Sequence, residues 1–331
     1  MEISPHPRRD ILPTSLLGKY EKVLRERMGE RNFETRFRRE TRINQGNPGV
    51  LSRLTSRLMN RVFLTTLNVS LSIIGKRREA RANCWNPHTV FNTIALEHYT
   101  TIQRLFRILH LSDFHLDTNL EQAPVWAEMI GKLEYDMAVI TGDFLNGYRL
   151  PNATNQAALQ TVIGAIRTPV YGILGNHDCM LITPFLEEMG VRMLLNETVG
   201  VEIAGQKILI TGLDDSHRFQ SDDLEFATRD LKPDRDRYAL NLILTHSPKM
   251  VTNLAEAGYD ICLSGHTHGG QLCLSNGVPL LRNGLYHPDT IAGKWKVGDL
   301  LGYTSRGTGT GRLAFRLNCQ PEIVLHEIRH L

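Results

Sequence analysis

One local pattern occurs five times in this sequence: a short, mostly apolar run is followed at once by residues that commonly bind metal ions. The runs span residues 106–112, 137–141, 170–174, 240–245 and 261–263. Their high content of Val, Ile and Leu predicts strands that are buried on both faces. Ligands of open sheets gather beyond the carboxyl ends of such strands. We therefore expect an α/β fold in which five polar segments converge on one pocket.

These polar segments are rich in carboxylate, amide and imidazole groups. In chain order the candidate ligands are Asp113, His115, Asp143, Asn176, His246, His266 and His268. Oxygen and imidazole ligands without thiolates are typical of Mn, Fe, Zn or Mg. Seven ligands are too many for one ion and suit two ions that share a carboxylate. Two such ions about 3.5–4 Å apart hold the attacking and leaving oxygens of a displacement at phosphorus.

The order Asp-x-His, Gly-Asp, Gly-Asn-His-Asp, His and Gly-His-x-His resembles that of the calcineurin-like metallophosphoesterases. The resemblance covers residues 106–331 and implies a four-layer αββα sandwich with a dinuclear site. It implies a first ion on Asp113, His115 and His268, a second on Asn176, His246 and His266, and a bridge through Asp143. It also implies that His177 faces the phosphate as general acid or electrostatic stabiliser, and that Asp178 orients the His177 ring. Mn is the metal we expect, with Fe, Zn and Mg as alternatives.

A narrower resemblance surrounds these motifs. Residues 263–271 and 303–309 are similar to a membrane-associated bacterial branch of the superfamily, and residues 78–88 and 92–99 resemble one group within it. That group is the chlamydial-type UDP-2,3-diacylglucosamine pyrophosphatases of lipid A biosynthesis. The resemblance implies cleavage of the substrate's pyrophosphate to UMP and 2,3-diacylglucosamine 1-phosphate, lipid X. A general phosphodiesterase and a nucleic-acid phosphodiesterase are the alternatives.

The charge of the chain is unevenly distributed. Residues 1–82 carry 18 Lys or Arg and 8 Asp or Glu, a net +10, so the remaining residues carry −7 of the total of +3. This asymmetry predicts a basic N-terminal extension, placed at residues 1–100, on a catalytic domain at residues 101–331. Residues 21–42 are densely charged, with apolar residues three to five positions apart. They predict an exposed, weakly amphipathic helix.

A second segment of the extension points to a lipid surface. Residues 62–75 form an uncharged stretch of 14 residues that is followed by Lys76, Arg77 and Arg78. This is shorter than the roughly 20 residues needed to span a bilayer. We predict a helix lying on an anionic membrane surface; packing on the catalytic domain and a true span are the alternatives. The expected location is the cytoplasmic face of the inner membrane, as a peripheral protein, or otherwise the cytoplasm.

The metal motifs specify phosphoester chemistry and leave the substrate open. The basic extension with its apolar stretch favours a lipid-linked nucleotide over nucleic acid, because a nuclease groove interleaves aromatic and basic residues. Arg149 and Arg306 follow motif loops and are candidate phosphate contacts, since a guanidinium binds phosphate bidentately. Solvated surface arginines are the alternative for both. The sequence has no Gly-x-Ser-x-Gly elbow, which argues against a serine hydrolase.

Overall fold

The computed structural model describes residues 14–45, 50–97, 105–148, 150–280, 284, 286–311 and 313–331. Its helices are α1 (Thr14–Met28), α2 (Glu30–Gln45), α3 (Val50–Ile73), α4 (Arg77–Ala82), α5 (Ala123–Gly131), α6 (Ala153–Ile163), α7 (Thr183–Glu188), α8 (Leu224–Ala227) and α9 (Val251–Glu256). Its strands are β1 (His88–Leu96), β2 (Phe106–Leu111), β3 (Met137–Ile140), β4 (Val170–Gly172), β5 (Val191–Met193), β6 (Glu197–Ile203), β7 (Gln206–Gly212), β8 (Leu240–Leu244), β9 (Ile261–Ser264), β10 (Gly293–Val297), β11 (Leu300–Thr304) and β12 (Glu322–His330). The five strands predicted from the metal-ligand pattern are β2, β3, β4, β8 and β9.

Two six-stranded sheets form the frame of the catalytic region. The first sheet has the order β1-β12-β2-β3-β4-β5, and the second has the order β10-β11-β9-β8-β7-β6. Neighbours are parallel from β2 to β5 in the first sheet and from β7 through β8 and β9 to β11 in the second. The carboxyl ends of these parallel strands therefore lie along one edge of each sheet.

Side chains that alternate along the central strands build three apolar layers. In β2, Phe106 and Ile108 belong to a core that takes residues from both sheets, whereas Leu109 belongs to a core that includes α5 and α6. In β8, Leu242 belongs to the shared core and Ile243 to a third core with α8 and α9. Such alternation is the period of a strand. Helices thus cover the outer face of each sheet, and the predicted αββα sandwich is confirmed.

The described part of the N-terminal extension is largely helical, as expected, but one side of α1 and α2 is buried. Residues 21–42 lie in α1 and α2, and their apolar side chains enter the core outside the first sheet. Those that are buried there are Leu24, Met28 and Phe33. The prediction of an exposed helix is wrong because the charged side chains have partners in the catalytic region. Arg27, for example, forms ion pairs with Glu187 at 2.8 Å and Glu197 at 2.7 Å.

The apolar stretch lies in α3 and has two faces. On one face Leu71 is buried against Phe315 and Leu317, and Leu67 packs against the same cluster. Beyond this cluster the helix exposes large apolar side chains, which together are called its outer face: Met59, Val62, Phe63, Val69 and Ile73. Packing on the catalytic region therefore buries only some of the apolar side chains of this helix. Within the described residues, no helix is both long and apolar enough to cross a bilayer.

The predicted extension also contains a strand of the first sheet. β1 pairs in parallel with β12 from His88 opposite Glu322 to Leu96 opposite His330. The sequence analysis had assigned these residues to the extension, and the structure places them at the edge of the catalytic sheet. The predicted boundary, between residues 100 and 101, lies outside the described residues.

The last strand contains the sequence His-Glu-Ile-Arg-His at residues 326–330. On a helix this spacing is a zinc-protease motif, but here it lies on β12. His326 is buried and contacts Asn92 at 2.7 Å and His110 at 3.2 Å. Glu327 accepts a hydrogen bond from Arg107 at 3.1 Å. These side chains are thus occupied in joining the strands of the first sheet.

Candidate metal centre

The seven predicted ligands all follow strands whose carboxyl ends are aligned. Leu111, Ile140 and Gly172 pair across β2, β3 and β4, and Leu244 pairs with Leu263 across β8 and β9. The first sheet supplies Asp113, His115, Asp143 and Asn176, and the second supplies His246, His266 and His268. All seven side chains are buried. The structure therefore brings every predicted ligand to the same end of the sandwich.

The first cluster contains Asp113, His115 and His268, whose ligand atoms lie within 4.8 Å of one another. The Nε2 atoms of His115 and His268 are 3.1 Å apart, and His268 Nε2 lies 3.5 Å from Asp113 Oδ1. Asp113 Oδ1 is buried and has no hydrogen-bond partner among the described residues. Buried polar atoms without partners are rare. A divalent cation between these three side chains would satisfy this oxygen, so the cluster fits a metal site.

The second cluster is centred on the Asn176 side chain. Asn176 Oδ1 lies 3.0 Å from His246 Nε2 and 2.5 Å from His266 Nδ1. His246 Nδ1 lies 2.7 Å from the carbonyl oxygen of Thr141. A carbonyl only accepts hydrogen bonds, so this contact places a proton on Nδ1 and directs Nε2 toward the cluster. An amide oxygen and two imidazole nitrogens are a suitable ligand set for a second divalent ion.

Asp143 lies between the two clusters. Its Oδ2 is 3.7 Å from His115 Nε2 in the first cluster and 3.4 Å from His246 Nε2 in the second. Its Oδ1 accepts a hydrogen bond of 2.7 Å from the His177 backbone N–H. This is the position that a bridging carboxylate requires, because each cluster faces the same oxygen.

The backbone of the metal centre is strained. Five of the seven predicted ligands have a left-handed φ: Asp113 (53°), His115 (44°), Asp143 (57°), His266 (69°) and His268 (49°). Such a conformation costs about 1–3 kcal/mol for a non-glycine residue and clusters at functional sites. Gly265 is needed for a different reason: a Cβ there would lie 1.9 Å from Ser112 Oγ. The tight loops hold the ligands in a geometry that an unstrained backbone would not adopt.

Burial and the two carboxylates, Asp113 and Asp143, determine the protonation of the side chains in the centre. Burial raises the pKa of Asp113 to about 6, with Asp143 adding to the rise and His246 opposing it. Burial also disfavours the charge on Asp143, but His246 and His177 outweigh it and hold its pKa well below the usual value. Burial lowers the pKa of His115 to about 3, and neutral imidazole is the form that binds metal. The two carboxylates therefore favour the binding of cations in this buried centre.

Comparison with known proteins identifies this arrangement. The family model of the calcineurin-like phosphoesterases matches residues 106–270. Metallophosphoesterase YkoQ of Bacillus subtilis (strain 168), named as uncharacterized, is 31% identical over 251 residues, which cover 72% of this chain and 89% of that protein. This chain belongs to the calcineurin-like metallophosphoesterases. The family's fold implies divalent metal ions, which agrees with the ligand clusters above.

One further relative is a phosphodiesterase by name. Phosphodiesterase YaeI of Escherichia coli (strain K12) is 25% identical over 237 residues, covering 67% of this chain and 82% of that protein. The chain is thus a metallophosphoesterase with a homologue named as a phosphodiesterase. A solved structure described as a novel archaeal phosphodiesterase is 14% identical and covers 61% of this chain and 85% of that one, with a TM-score of 0.32.

In this metallophosphoesterase His177 stands beside the metal clusters and is half-buried, unlike the predicted ligands. Its ring packs edge-on against His115, with centroids 5.3 Å apart. Its Nδ1 lies 3.3 Å from the carbonyl oxygen of Asn146, which fixes a proton on Nδ1. The position agrees with the predicted role at the phosphate, and the role itself stays a prediction.

Asp178 connects the loops of the centre. Its carboxylate accepts hydrogen bonds from the backbone N–H groups of Gly175 at 2.8 Å, Asp143 at 2.8 Å and Phe144 at 2.9 Å. It thereby joins the two loops that carry Asp143 and Asn176. The predicted role of Asp178 in orienting the His177 ring stays a prediction.

Of the two predicted phosphate contacts, the structure describes only Arg306. Arg149 lies outside the described residues. Arg306 donates from Nη1 to Glu322 Oε2 at 2.6 Å, and its backbone N–H donates to the same carboxylate at 2.9 Å. Its guanidinium is therefore already paired with a buried acid, and phosphate binding by Arg306 remains a prediction. The neighbouring Gly307 packs closely on the centre, since a Cβ there would lie 2.9 Å from Asp113 Cβ.

Four residues near the centre were missed by the sequence analysis. The His217 ring lies 4.3 Å from the His266 ring, and Tyr286 contacts His217 Nδ1 at 3.0 Å. Tyr148 stacks on His177 with centroids 5.9 Å apart, and the exposed Arg218 lies 5.2 Å above the Tyr148 ring. The sequence could have pointed to His217 and Arg218, because they show the same pattern as the predicted ligands. They follow the apolar strand β7, and Asp214 and Asp215 lie between the strand and these two residues. These four residues form an aromatic and basic rim beside His177 and His266.

A fifth missed residue is the buried Arg316. Its Nη2 donates to His268 Nδ1 at 2.9 Å and to the Gly309 carbonyl at 2.7 Å. It also donates from Nε to Thr310 Oγ1 at 3.1 Å. Arg316 therefore holds the His268 ring against the loop that follows β11. No spacing rule pointed to it, since it lies 48 residues beyond its partner.

Proposed function

We propose that this metallophosphoesterase hydrolyses the pyrophosphate of UDP-2,3-diacylglucosamine. Water and the substrate would give UMP and 2,3-diacylglucosamine 1-phosphate, lipid X. The observation that carries the proposal is the combination of a metal centre built for phosphoester cleavage with an exposed apolar helix face on the same chain. A water-soluble substrate gives no reason for that face, whereas an amphiphilic nucleotide held in a membrane does.

Two divalent ions fit the centre, and we propose that both are Mn²⁺. Asp113, His115 and His268 would hold the first ion, and Asn176, His246 and His266 the second, with Asp143 shared by both. When bound, the ions supply Lewis acidity toward the phosphoryl group. The protein itself keeps the ligands in position through the Asp178 contacts and excludes water by burying all seven side chains.

His177 would act on the phosphoryl oxygens. Because Asn146 holds the proton on Nδ1, a proton passes to or from the substrate at Nε2. Pyrophosphate cleavage needs little acid assistance, since the departing phosphomonoester is already a stable anion. His177 therefore acts mainly as an electrostatic stabiliser of the developing charge. Arg218, exposed above the Tyr148 ring, supports the negatively charged part of the substrate that lies beyond the ions.

The outer face of α3 would place the enzyme on its substrate's membrane. Five large apolar side chains of this face are exposed, with Ile73 at 80% and Met59 at 71%. Exposed basic residues lie on the helix and just after it: Arg61, Lys76, Arg77 and Arg78. Apolar residues with basic flanks favour an anionic bilayer surface. We accordingly propose peripheral attachment at the cytoplasmic face of the inner membrane.

A general phosphodiesterase is the second candidate, favoured by the name of the relative YaeI. One comparison separates the candidates: turnover of UDP-2,3-diacylglucosamine, of the deacylated UDP-glucosamine, of bis(p-nitrophenyl) phosphate and of a single-stranded oligonucleotide by the Mn²⁺-loaded protein. Asp143→Asn, purified in parallel, controls for contaminating activities.

We expect the acylated nucleotide to be the preferred substrate by a wide margin, because each buried methylene contributes about 0.8 kcal/mol to binding. UMP and lipid X should appear in equal amounts. Equal turnover of the acylated and deacylated nucleotides would remove the lipid from the proposal and leave a general phosphodiesterase. Preference for the oligonucleotide would indicate a nuclease.

A further inference from the structure

Helix α2 inserts a fully buried arginine behind the metal centre. Arg36 has no solvent exposure, and its Nη2 donates to the carbonyl oxygen of Asp178 at 2.6 Å. Its Nη1 pairs with the buried Asp214, and its guanidinium lies 4.2 Å above the Phe219 ring. Burial opposes the charge on Arg36, but Asp214 and Glu40 outweigh burial and raise its pKa. Arg36 is thus a permanent cation that joins two loops of the catalytic region.

A second side chain of the same helix contacts the same loop. Glu40 accepts a hydrogen bond from Arg36 Nε at 2.7 Å and another from the Met180 backbone N–H at 3.0 Å. The loop is therefore held at the Asp178 carbonyl by Arg36 and at the Met180 N–H by Glu40. Between these two points lies Cys179, whose buried thiol has a pKa raised well above its ordinary value. This cysteine is packed rather than reactive.

The contact continues from Asp178 to the predicted bridging ligand. The Asp178 carboxylate holds the backbone N–H groups of Asp143 and Gly175, and Asp143 Oδ1 holds the N–H of His177. Asp178 is therefore the single residue that connects Arg36 to the loop of Asp143 and to the loop of Asn176. Outer partners of this kind typically change metal affinity or activity by 10–100-fold when they are lost.

We infer that Arg36 is a positioning residue of the metal centre, which it acts on through Asp178. Arg36 lies outside residues 106–270, the segment matched by the family model, so the catalytic machinery draws on the N-terminal extension. The inference deepens the proposed function, since it concerns the same centre, but it does not depend on which phosphoester is cleaved.

The chain offers a matched control at Arg27. This arginine also ties the extension to the catalytic region, through Glu187, Glu197 and the Met193 carbonyl at 2.6 Å. These partners lie on α7, at the end of β5 and at the start of β6, away from the loops of Asp143 and Asn176. Loss of Arg27 therefore removes a comparable tether without touching the metal centre.

The experiment compares Arg36→Met, Arg36→Lys and Arg27→Met in the full chain. It measures kcat and KM for bis(p-nitrophenyl) phosphate at saturating Mn²⁺, the Mn²⁺ affinity of each purified protein, and the midpoint of thermal unfolding. We expect Arg36→Met to lower kcat by about 10²-fold, the cost of a misplaced catalytic group, with little change in KM. Its Mn²⁺ affinity should fall by about 10–100-fold. Arg36→Lys should recover part of both, and Arg27→Met should change neither.

Arg36→Met leaves Asp214 and Glu40 buried without their cationic partner, which destabilises the fold. A neutralised variant, Arg36→Met with Glu40→Gln and Asp214→Asn, removes that charge imbalance and tests the same contact. If this variant folds and retains wild-type kcat and Mn²⁺ affinity, the inference is wrong. Equal losses in Arg27→Met and Arg36→Met would also overturn it, because the effect would then be one of general stability. Failure of the wild type to cleave UDP-2,3-diacylglucosamine would overturn the proposed function alone, and the Mn²⁺ affinities of the variants would still decide the role of Arg36.

Discussion

The burial of helices α2 and α3 is the opposite of what their compositions suggest. The charged helix α2 is anchored in the protein, where it buries Phe33, Arg36 and Glu40. The more apolar helix α3 leaves Met59, Val62, Phe63, Val69 and Ile73 exposed, and Leu71 is the one buried side chain among those that the structure describes on this helix. Charged side chains enter a protein interior when partners of opposite charge are already there, as Asp214 is for Arg36. The apolar side chains of α3 remain outside because the catalytic region covers this helix only around Leu67 and Leu71.

This difference assigns separate functions to two parts of one extension. Through α2 the extension is part of the catalytic unit, since its contacts lead to Asp178 and from there to Asp143. Through the outer face of α3 it presents a surface for a partner, which we propose to be the membrane. A basic N-terminal segment therefore need not be a single arm with a single role.

The largest effect short of losing the bridging carboxylate is expected at His177, whose backbone N–H donates to Asp143 Oδ1. His177→Ala should reduce turnover by about 10²–10³-fold, the usual cost of removing a group that stabilises charge in the transition state. Its metal content should remain near that of the wild type, because the ring is assigned to no ion. Steady-state kinetics and metal analysis on the same preparation check both points. Loss of metal together with activity would make His177 a ligand.

A second prediction concerns the buried side of α2. Phe33→Ala should lower the free energy of unfolding by about 3–5 kcal/mol, as expected when a large aromatic side chain leaves a cavity in a packed core. Phe33 is fully buried and stacks on Phe37 at 5.8 Å. Urea denaturation followed by circular dichroism gives the value. A loss below about 1 kcal/mol would show that α2 is only loosely attached.

A smaller loss is expected for the inner face of α3. Leu71→Ala should cost about 2 kcal/mol, near the lower end for buried leucines, because Leu71 belongs to a small cluster at the edge of the protein. The same denaturation experiment applies, and turnover of bis(p-nitrophenyl) phosphate should be unchanged. An effect as large as that of Phe33→Ala would erase the distinction between the two helices.

The smallest effect on stability is expected on the outer face of α3. Ile73→Asp should change the free energy of unfolding by less than about 0.5 kcal/mol, as is usual for exposed positions. Binding to phosphatidylglycerol vesicles should weaken by about 10-fold or more, since burying an isoleucine contributes about 1.5–3 kcal/mol. Ser72→Asp adds the same charge at the neighbouring exposed residue and is the control. Equal loss of vesicle binding in both variants would show that the added negative charge, and not the loss of the isoleucine side chain, weakens binding.

Much of the catalytic region could be predicted from the sequence because its signals are local. Strand periodicity located β2, β3, β4, β8 and β9, and the ligands follow each strand directly. The clusters that join Asp143 to His115 and to His246 then result from the parallel alignment of the strand ends. Even so, a motif needs its context, since His-Glu-x-x-His at residues 326–330 lies on a strand and pairs with neighbouring strands.

Non-local contacts could not be predicted in the same way. The sequence analysis treated α2 as exposed because the partner of Arg36, Asp214, is 178 residues away. It did not reveal that backbone N–H groups from two loops donate to the Asp178 carboxylate. It missed Arg316 for the same reason. Charged side chains with buried partners have no periodicity, so only the folded chain reveals them.

Metal analysis of the wild type and of Asp143→Asn tests the account most directly. Two divalent ions per chain are expected in fully active wild-type protein, because each cluster faces the same Asp143 oxygen. Replacing this carboxylate by an amide should weaken both ions together and abolish turnover. A fully active wild type with one ion or none, or an Asp143→Asn variant that keeps both ions and full activity, would contradict a bridged dinuclear centre.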